Sequence, residues 1–311
     1  MLWHPARYRS HLLGHERVIG VDVGGTKILA GVLARDGTIG RKIEVATPTT
    51  SQLDLVAALE RLIEELVDDG VAGLGFGLPS QIDQRLGVAI GSVNIPLDHL
   101  PLRDHMLGRF GLPTAIENDA NAATLAEWKL GAGRGVEDVV MLTLGTGVGG
   151  GVVIDGHLFR GWAELGHVVI DYDGPPCFGT CSGRGHLEAL CSGQAADVAA
   201  RKVLGPAARA HELVAQARKG DERSLEALAE IARYLGAGIG SFANIFDPAV
   251  VIIGGGFGVA AFDLLVGPAR ELVRREALPP ADEAVEIVLA ELGSQAGLLG
   301  AGLVAFETLD G

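Results

Sequence analysis

Positive charge is scarce in this chain: 25 lysines and arginines stand against 39 aspartates and glutamates, a formal net charge of −14 over 311 residues. Non-specific nucleic-acid binding needs clustered Lys and Arg to displace phosphate counterions, so this balance excludes it. Small anionic ligands must instead be held by backbone N–H groups, helix N-termini or a metal ion. Cysteine is scarce too. Cys177, Cys181 and Cys191 are an odd number, and two lie close together beside histidines, which favours a metal site over a disulfide framework and fits a reducing compartment. Long apolar runs are also missing. The opening MLWHPARYRSHLLGHERVIG breaks every apolar run with His, Arg or Glu, so it has no secretory h-region and reads as a terminal extension. The longest apolar stretch, Ala249 to Val266, contains three consecutive glycines and Asp263; it reads as strand, turn and helix and not as a membrane span. A cytoplasmic protein without membrane or nucleic-acid partners is the expectation.

What is abundant is apolar side chain, at 48%, and glycine, at 46 residues. At roughly 150 residues per domain the chain can form about two well-buried lobes. The glycines exceed the roughly 7% of average usage, show no G-X-Y period, and cluster between apolar runs, as tight strand ends require. Strand patterns fall at Val18–Val23, Ile28–Ala34, Gly73–Gly77, Val139–Leu144, Gly151–Ile154, Val250–Ile253 and Val285–Leu289. Helical periodicity falls at Leu53–Val67, Ala120–Leu130, Leu187–Val203, Ser224–Ile245, Ala261–Ala277 and Ala296–Phe306. This alternation predicts an α/β architecture with helices covering mixed sheets. One internal resemblance organises it: VDVGGTKILAGVLARDG, from Val21 to Gly37, parallels LTLGTGVGGGVVIDG, from Leu142 to Gly156. Each reads as strand, glycine turn, strand and D-G hairpin turn, which predicts a duplicated lobe with a cleft between the copies.

Three clusters carry the chemistry. In the first hairpin Asp22, Gly24, Gly25, Thr26 and Lys27 bring a carboxylate, bare amides, a hydroxyl and an ammonium into one bend, a cradle for phosphate and Mg²⁺. Neither a P-loop nor a Rossmann pattern fits it. The second copy, Gly145-Thr146-Gly147, supplies a matching turn that can clamp the same polyphosphate. In Glu117-Asn118-Asp119-Ala120-Asn121 a short strand closes and a helix opens, where α/β sheets usually meet ligands. Asp119 there is either a general base or the helix N-cap. Asn118, Glu164 and Glu188 offer partners for the hydroxyls of a sugar. Finally, His167, Cys177, Cys181 and His186 are four soft or borderline ligands, enough to close a tetrahedral structural Zn²⁺ site. Cys191, further along, reads as a small buried hydrophobe.

Together these motifs resemble the ROK family (repressor, open reading frame, kinase) of the actin-like sugar-kinase superfamily. The resemblance runs from about Arg17 to Phe306 through VDVGGTK, GLPSQID, ENDAN, LGTGVGGG, AELGH, the cysteine loop, FDPAVVIIGGG and AGLLGAG. It implies an actin-like, ribonuclease H-like duplicated fold of two lobes with a central cleft, divided as 1–119 plus 295–311 and 120–294. It further implies an ATP-dependent kinase acting on a hexose, glucose foremost, with N-acetylglucosamine, N-acetylmannosamine, fructose and mannose as alternatives. The ENDAN aspartate, Asp119, is then the catalytic base. Ser80, Asn94, Asn118, Asp119, Glu164, His167 and Glu188 contact the sugar, and Gly254, Gly255 and Gly256 border the adenosine. His167 would serve sugar and metal with one ring nitrogen each. A homodimer or homotetramer is the expected assembly.

The sequence departs from the family pattern in two places. The usual metal loop, C-x-C-G-x-x-G-C-x-E, is spread, with His186 in place of its last Cys, and Ser80 stands where a P-G turn has glycine. Family repressors carry a helix-turn-helix ahead of the first hairpin, and fewer than about twenty residues precede it here, so an enzyme is expected over a repressor. The retained Asp119 likewise argues against a purely sugar-sensing protein.

Overall fold

A computed structural model describes residues 16–311. The reading of the N-terminal segment as a terminal extension falls mostly on residues 1–15 and so lies outside that range. The chain forms two compact units. Unit 1 comprises the described residues up to Ala126 together with Gln295–Gly311, and unit 2 is Glu127–Ser294. Where a division between residues 119 and 120 was expected, the compact units divide between Ala126 and Glu127, inside the helix Asp119–Leu130.

Unit 1 runs β1 (Arg17–Val23), β2 (Lys27–Ala34), β3 (Ile39–Ala46), α1 (Gln52–Leu66), β4 (Val71–Leu78), then three short strands β5 (Gln81–Asp83), β6 (Val88–Gly91) and β7 (Asp98–Leu100). It continues through α2 (Leu102–Phe110) and β8 (Thr114–Asn118) into the start of α3 (Asp119–Leu130). Unit 2 runs β9 (Val139–Leu144), β10 (Val148–Ile154), β11 (His157–Leu158), α4 (Leu187–Cys191), α5 (Gly193–Leu204), α6 (Ala210–Arg218) and α7 (Glu222–Phe246). It ends with β12 (Val250–Gly254), α8 (Gly256–Glu276), α9 (Ala281–Ala284) and β13 (Glu286–Leu289), before α10 (Ala296–Asp310) completes unit 1.

The main sheets are ordered β3-β2-β1-β4-β8 in unit 1 and β11-β10-β9-β12-β13 in unit 2. In unit 1, β1 pairs antiparallel with β2 and parallel with β4, which is parallel to β8. In unit 2, β9 pairs antiparallel with β10 and parallel with β12, which is parallel to β13. The two orders and senses match strand for strand, so the duplication suggested by two hairpin sequences extends to five strands in each unit. The apolar β-branched strands fill two separate cores: Ile19, Val21, Leu74 and Phe76 with Leu55, Leu59 and Ile63 of α1 in one, and Val140, Leu142, Val251 and Ile253 with Leu235, Ile239 and Leu265 in the other.

Glycine abundance has a packing cause as well as a turn cause. Helix α10 lies so close to β1 and β4 that a Cβ on Gly20 would stand 2.6 Å from the Leu298 carbonyl oxygen, and one on Gly75 would overlap the Ala301 carbonyl. Gly300 in turn leaves no room for a Cβ against the main chain of Ala122 on α3. The start of unit 2 is secured differently. Glu127 is fully buried, and its carboxylate accepts from the N–H groups of Ala132, Glu291 and Leu292 at 2.8–3.1 Å. Three main-chain donors offset the desolvation that an isolated buried carboxylate would suffer.

Two helix expectations are corrected. The periodicity over Leu187–Val203 is not one helix: Ser192, fully buried and extended at φ −77°, ψ 172°, separates α4 from α5 and caps α5 by accepting from Ala195 N at 3.2 Å. The helix expected from Ala261 begins at Gly256, because Phe257 is buried and Gly258 fits tightly against Ile253 and Leu144. Tertiary packing overrides glycine's low helix propensity there. Among the described residues no helix is long and apolar enough to cross a membrane.

Candidate active site

Asp119 begins α3 with no loop after β8. It is not the residue that caps the helix. Asn118 Oδ1 accepts from Ala120 N at 2.9 Å and Asn121 N at 3.1 Å, while Asn118 Nδ2 donates to the Ser80 carbonyl at 3.3 Å. The alternative role for Asp119, a plain N-cap, therefore belongs to its neighbour. Asp119 Oδ1 accepts from Ala120 N at 2.8 Å, so its carboxylate is oriented by the first turn, where the helix dipole favours negative charge. Ser80 is buried, and its hydroxyl accepts from Gly91 N and donates to the Gln81 carbonyl. Its side chain thus holds its own loop, and its carbonyl holds Asn118.

The first glycine turn closes between β1 and β2. Gly24 N donates to the Lys27 carbonyl at 2.9 Å, and Thr47 Oγ1 donates to the Gly24 carbonyl at 2.7 Å. Asn94 is exposed and faces this turn: a Cβ on Gly25 would lie 3.4 Å from the Asn94 Cβ. Thr26 is exposed, and Lys27 Nζ reaches Glu44 Oε2 at 2.8 Å across the hairpin. Such an exposed pair contributes only about 0–1 kcal/mol, so the ammonium is readily exchanged to another anion. Asp22 lies against the first turn of α10, where a Cβ on Gly297 would meet its carboxyl carbon at 2.5 Å.

Burial lifts the Asp22 carboxyl from its usual 3.8 to about 6, with Lys27 acting in the opposite direction. Between these pH values the folded chain keeps a proton that the unfolded chain has released, so stability falls as pH rises through the window, by at most about 3 kcal/mol. Asp22→Asn removes this dependence. In metal-free buffer its Tm is expected to exceed that of the parent at pH 8 and to converge with it towards pH 4, as differential scanning calorimetry at the two pH values would show. Equal Tm differences at both would mean that Asp22 does not titrate in this window.

In unit 2 the second turn is arranged around Glu188. Glu188 Oε2 accepts from Val148 N at 2.9 Å, and Oε1 lies 3.7 Å from the Cys177 thiol. Gly147 leaves no room for a side chain against this carboxylate, whereas the Cβ direction of Gly145 is open. The carbonyls of Gly145 and Thr146 accept from Gly193 N and Gln194 N, so α5 starts from the turn itself. That docking explains the break at Ser192. Gly254 and Gly256 flank Gly255, which has φ +78° and packs on the main chain of Leu144. Only glycine fits there, and α8 opens from it with no side-chain cap, leaving its N-terminal N–H groups for an anion.

The cysteine loop closes despite its unusual spacing. His167 Nδ1 lies 3.2 Å from His186 Nδ1, 3.9 Å from Cys177 Sγ and 3.8 Å from Cys181 Sγ; Cys181 Sγ is 3.5 Å from His186 Nδ1. The four ligand atoms all lie within 4.8 Å of one another. A tetrahedral zinc with Zn–N near 2.0 Å and Zn–S near 2.3 Å separates its ligands by about 3.3–3.8 Å, so the donor set fits the ion. Burial, with smaller contributions from Cys181 and Glu188, pushes the Cys177 thiol up to about 12 without metal. Glu164 stands just before the 3₁₀ turn Leu165–His167, and Gly166 of that turn packs on the Val148 carbonyl. Using Nδ1 for the cluster leaves His167 Nε2 for another partner. Cys191 is buried away from solvent, as expected of a small hydrophobe.

Two residues of the first site were not singled out from sequence. Glu117, 1% exposed, accepts from Asn118 N at 3.0 Å and from Asn121 Nδ2 at 3.1 Å, and Asn121 Oδ1 is buried without a hydrogen-bond partner. Such an unmet acceptor costs on the order of 1–3 kcal/mol. The signal available was the ENDAN run itself, whose outer Glu and Asn read as ordinary polar residues beside the base.

Matched five-strand sheets, two glycine hairpins and a carboxylate at a strand-to-helix corner define a duplicated α/β protein of the actin-like kind, with a His/Cys cluster in its second half. Residues 18–307 match the ROK family, and the chain belongs to it. It is 37% identical to a glucokinase of Thermotoga maritima, over 95% of this chain and 99% of that one. A crystal structure of a ROK glucokinase from Streptomyces griseus in complex with glucose and AMPPNP has a TM-score of 0.79 and 34% identity, covering 94% of this chain and 99% of that one. The ROK hexokinase of Thermus thermophilus gives a TM-score of 0.80 at 36% identity, covering 95% of this chain and 100% of that one.

Proposed function

We propose that the protein is an ATP-dependent hexose kinase that phosphorylates the 6-hydroxyl of glucose. The observation that carries this reading is Asp119, presented at the β8–α3 corner while Asn118 takes the capping role. Likeness to glucokinases over almost the whole chain supports the substrate. In the reaction the sugar O6 forms a bond to the γ-phosphorus of ATP, the bond from that phosphorus to the β,γ-bridging oxygen breaks, and the O6 proton passes to Asp119. Phosphoryl transfer needs positioning and charge neutralisation more than covalent help. Asn118 and Asn94 in unit 1, and Glu164, His167 Nε2 and Glu188 in unit 2, hold sugar hydroxyls, while buried Ser80 takes part only through its carbonyl, which holds Asn118. The amides of Gly24, Gly25 and Gly145 to Gly147 hold phosphate oxygens, aided by Thr26, Thr146 and Lys27, and the Gly254–Gly256 corner borders the adenosine. Asp22 would hold Mg²⁺ or its waters, and the ion would neutralise phosphate charge. The protein works in the cytoplasm as a homodimer or homotetramer, with no nucleic-acid or membrane partner.

The test is a coupled ADP-release assay over glucose, mannose, fructose, N-acetylglucosamine and N-acetylmannosamine, with ATP, GTP and polyphosphate as donors. Glucose with ATP is expected to give the highest kcat/KM. A higher value for another sugar would reassign the substrate, and no turnover with any would overturn the kinase reading.

His167, Cys177, Cys181 and His186 are proposed to hold one structural zinc, four protein ligands leaving no position for an activated water. Protein purified without added metal is expected to contain one zinc per chain by elemental analysis. Cys181→Ser should lose it and, because metal binding energy is also folding energy, lower Tm and weaken glucose binding together. Well under one zinc per chain with an unchanged Tm in that variant would remove the site.

A further inference from the structure

The carboxylate of Glu117 has no part in the reaction drawn above, yet it is 1% exposed and lies two residues before the base. Burying a carboxylate is unfavourable unless donors reach it. Here one oxygen, Oε1, takes two: Asn118 N at 3.0 Å and Asn121 Nδ2 at 3.1 Å. The two donors come from either side of Asp119 in the chain. Asn121 is 3% exposed, and its amide keeps Nδ2 on Glu117 while Oδ1 is left buried and unpartnered. The opposite orientation would set Oδ1 against the carboxylate oxygen, so Glu117 dictates which way this amide lies.

Because β8 enters α3 without a loop, the direction of the main chain at Asp119 is set by residues 117, 118 and 121. Asn118 Oδ1 gathers the N–H groups of Ala120 and Asn121, and Glu117 gathers the N–H of Asn118 and the side chain of Asn121. The corner rests on Gly77, where an added Cβ would lie 3.5 Å from Ala122 Cβ and 3.8 Å from Asp119 Cα. Hydrogen bonds to an ionised acceptor are the stronger kind and are strengthened by a low local dielectric.

We propose that Glu117 is a positioning residue for Asp119: its buried carboxylate, acting through the Asn118 N–H and the Asn121 amide, fixes the strand-to-helix corner that aims the base. The inference rests on the reading of Asp119 as that base. A misplacement of about 1 Å at the reacting groups can lower a rate by about 10², so the effect falls on kcat and not on binding.

Steady-state kinetics on Glu117→Leu, Glu117→Gln, Asn121→Ala and Asp119→Ala, with kcat expressed per folded molecule, test it. Glu117→Leu is expected to lower kcat by about 10- to 100-fold with the KM values for glucose and ATP within about threefold of the parent. Glu117→Gln keeps an acceptor for both donors and recovers most of that loss. Asn121→Ala, which removes one of the two donors, should lower kcat by about tenfold and carries the test if Glu117→Leu does not fold. A parent-like kcat in Glu117→Leu, or in Asn121→Ala where the former does not fold, overturns the proposal, as does a change confined to Tm. If Asp119→Ala itself keeps more than half the parent kcat, it is the base assignment that fails; an inactive Asp119→Ala beside a parent-like Glu117→Leu sinks only the positioning role.

Discussion

Asp119→Ala is expected to lower kcat for glucose phosphorylation by about 10² or more, since general-base catalysis contributes roughly 10²–10⁴. The KM for glucose should move far less, because Asn118, Glu164 and Glu188 still offer hydrogen-bond partners to the sugar. The fold should survive. Asn118 Oδ1 caps the helix by taking the Ala120 and Asn121 amides, so removing the Asp119 carboxylate leaves the first turn of α3 satisfied. Equal circular dichroism and Tm within a few degrees would show that a rate loss is chemical. A variant with more than half the parent kcat would mean that the proton goes elsewhere.

Gly145→Val should raise the KM for ATP by about tenfold or more while leaving the KM for glucose nearly unchanged. A Cβ at Gly145 meets nothing within 4 Å, so the valine projects into open space and not into the protein core. The space is the one assigned to the transferred phosphate. Losing one charge-assisted hydrogen bond there, at about 1.5–3 kcal/mol, corresponds to roughly a tenfold to hundredfold loss. Gly147→Val is the informative contrast, because its side chain would collide with the Glu188 carboxylate. That variant should disturb the turn, the sugar partner and the neighbouring Cys177 together, with a fall in Tm. Equal increases in both KM values for Gly145→Val would remove the assignment of this turn to the nucleotide.

Much of this was legible in the chain because hairpins announce themselves locally. Asp22 to Lys27 and Gly145 to Gly147 combine turn glycines with β-branched flanks, and their likeness was enough to predict the duplication. Periodicity alone could not show that β3 and β11 extend the likeness to the outer edges, since β11 is only two residues long and β3 alternates with exposed polar residues; the strand at β13 was predicted. The break at Ser192 was invisible for a different reason. Its cause is the docking of Gly193 on the Gly145 carbonyl, a contact between residues far apart in sequence. The same holds for the cysteine loop: the spacing gave the ligand set, but convergence of Cys177 and Cys181 on two imidazoles depends on a chain reversal in which Cys177 N donates to the Gly183 carbonyl. Glu117 was missed because a buried acid and an exposed one look alike in sequence.

Unit 1 draws its residues from both sides of unit 2, and α10, which covers β1 and β4 through Gly20 and Gly75, comes after all of it. During synthesis, at about 5–20 residues per second, the strands that carry Asp22 and the corner that carries Asp119 leave the ribosome many seconds before their covering helix exists. Unit 2 is continuous and has its whole core in hand once Ser294 has emerged. Until α10 is made, the glycine floor of β1 and β4 in the unit that holds Asp119 lacks its covering helix. That floor is matched to the backbone of α10, because a side chain at Gly20 or Gly75 would meet the carbonyls of Leu298 and Ala301. The order of synthesis is thus built into where the chain returns: the helix that covers the unit holding Asp119 is the last element made.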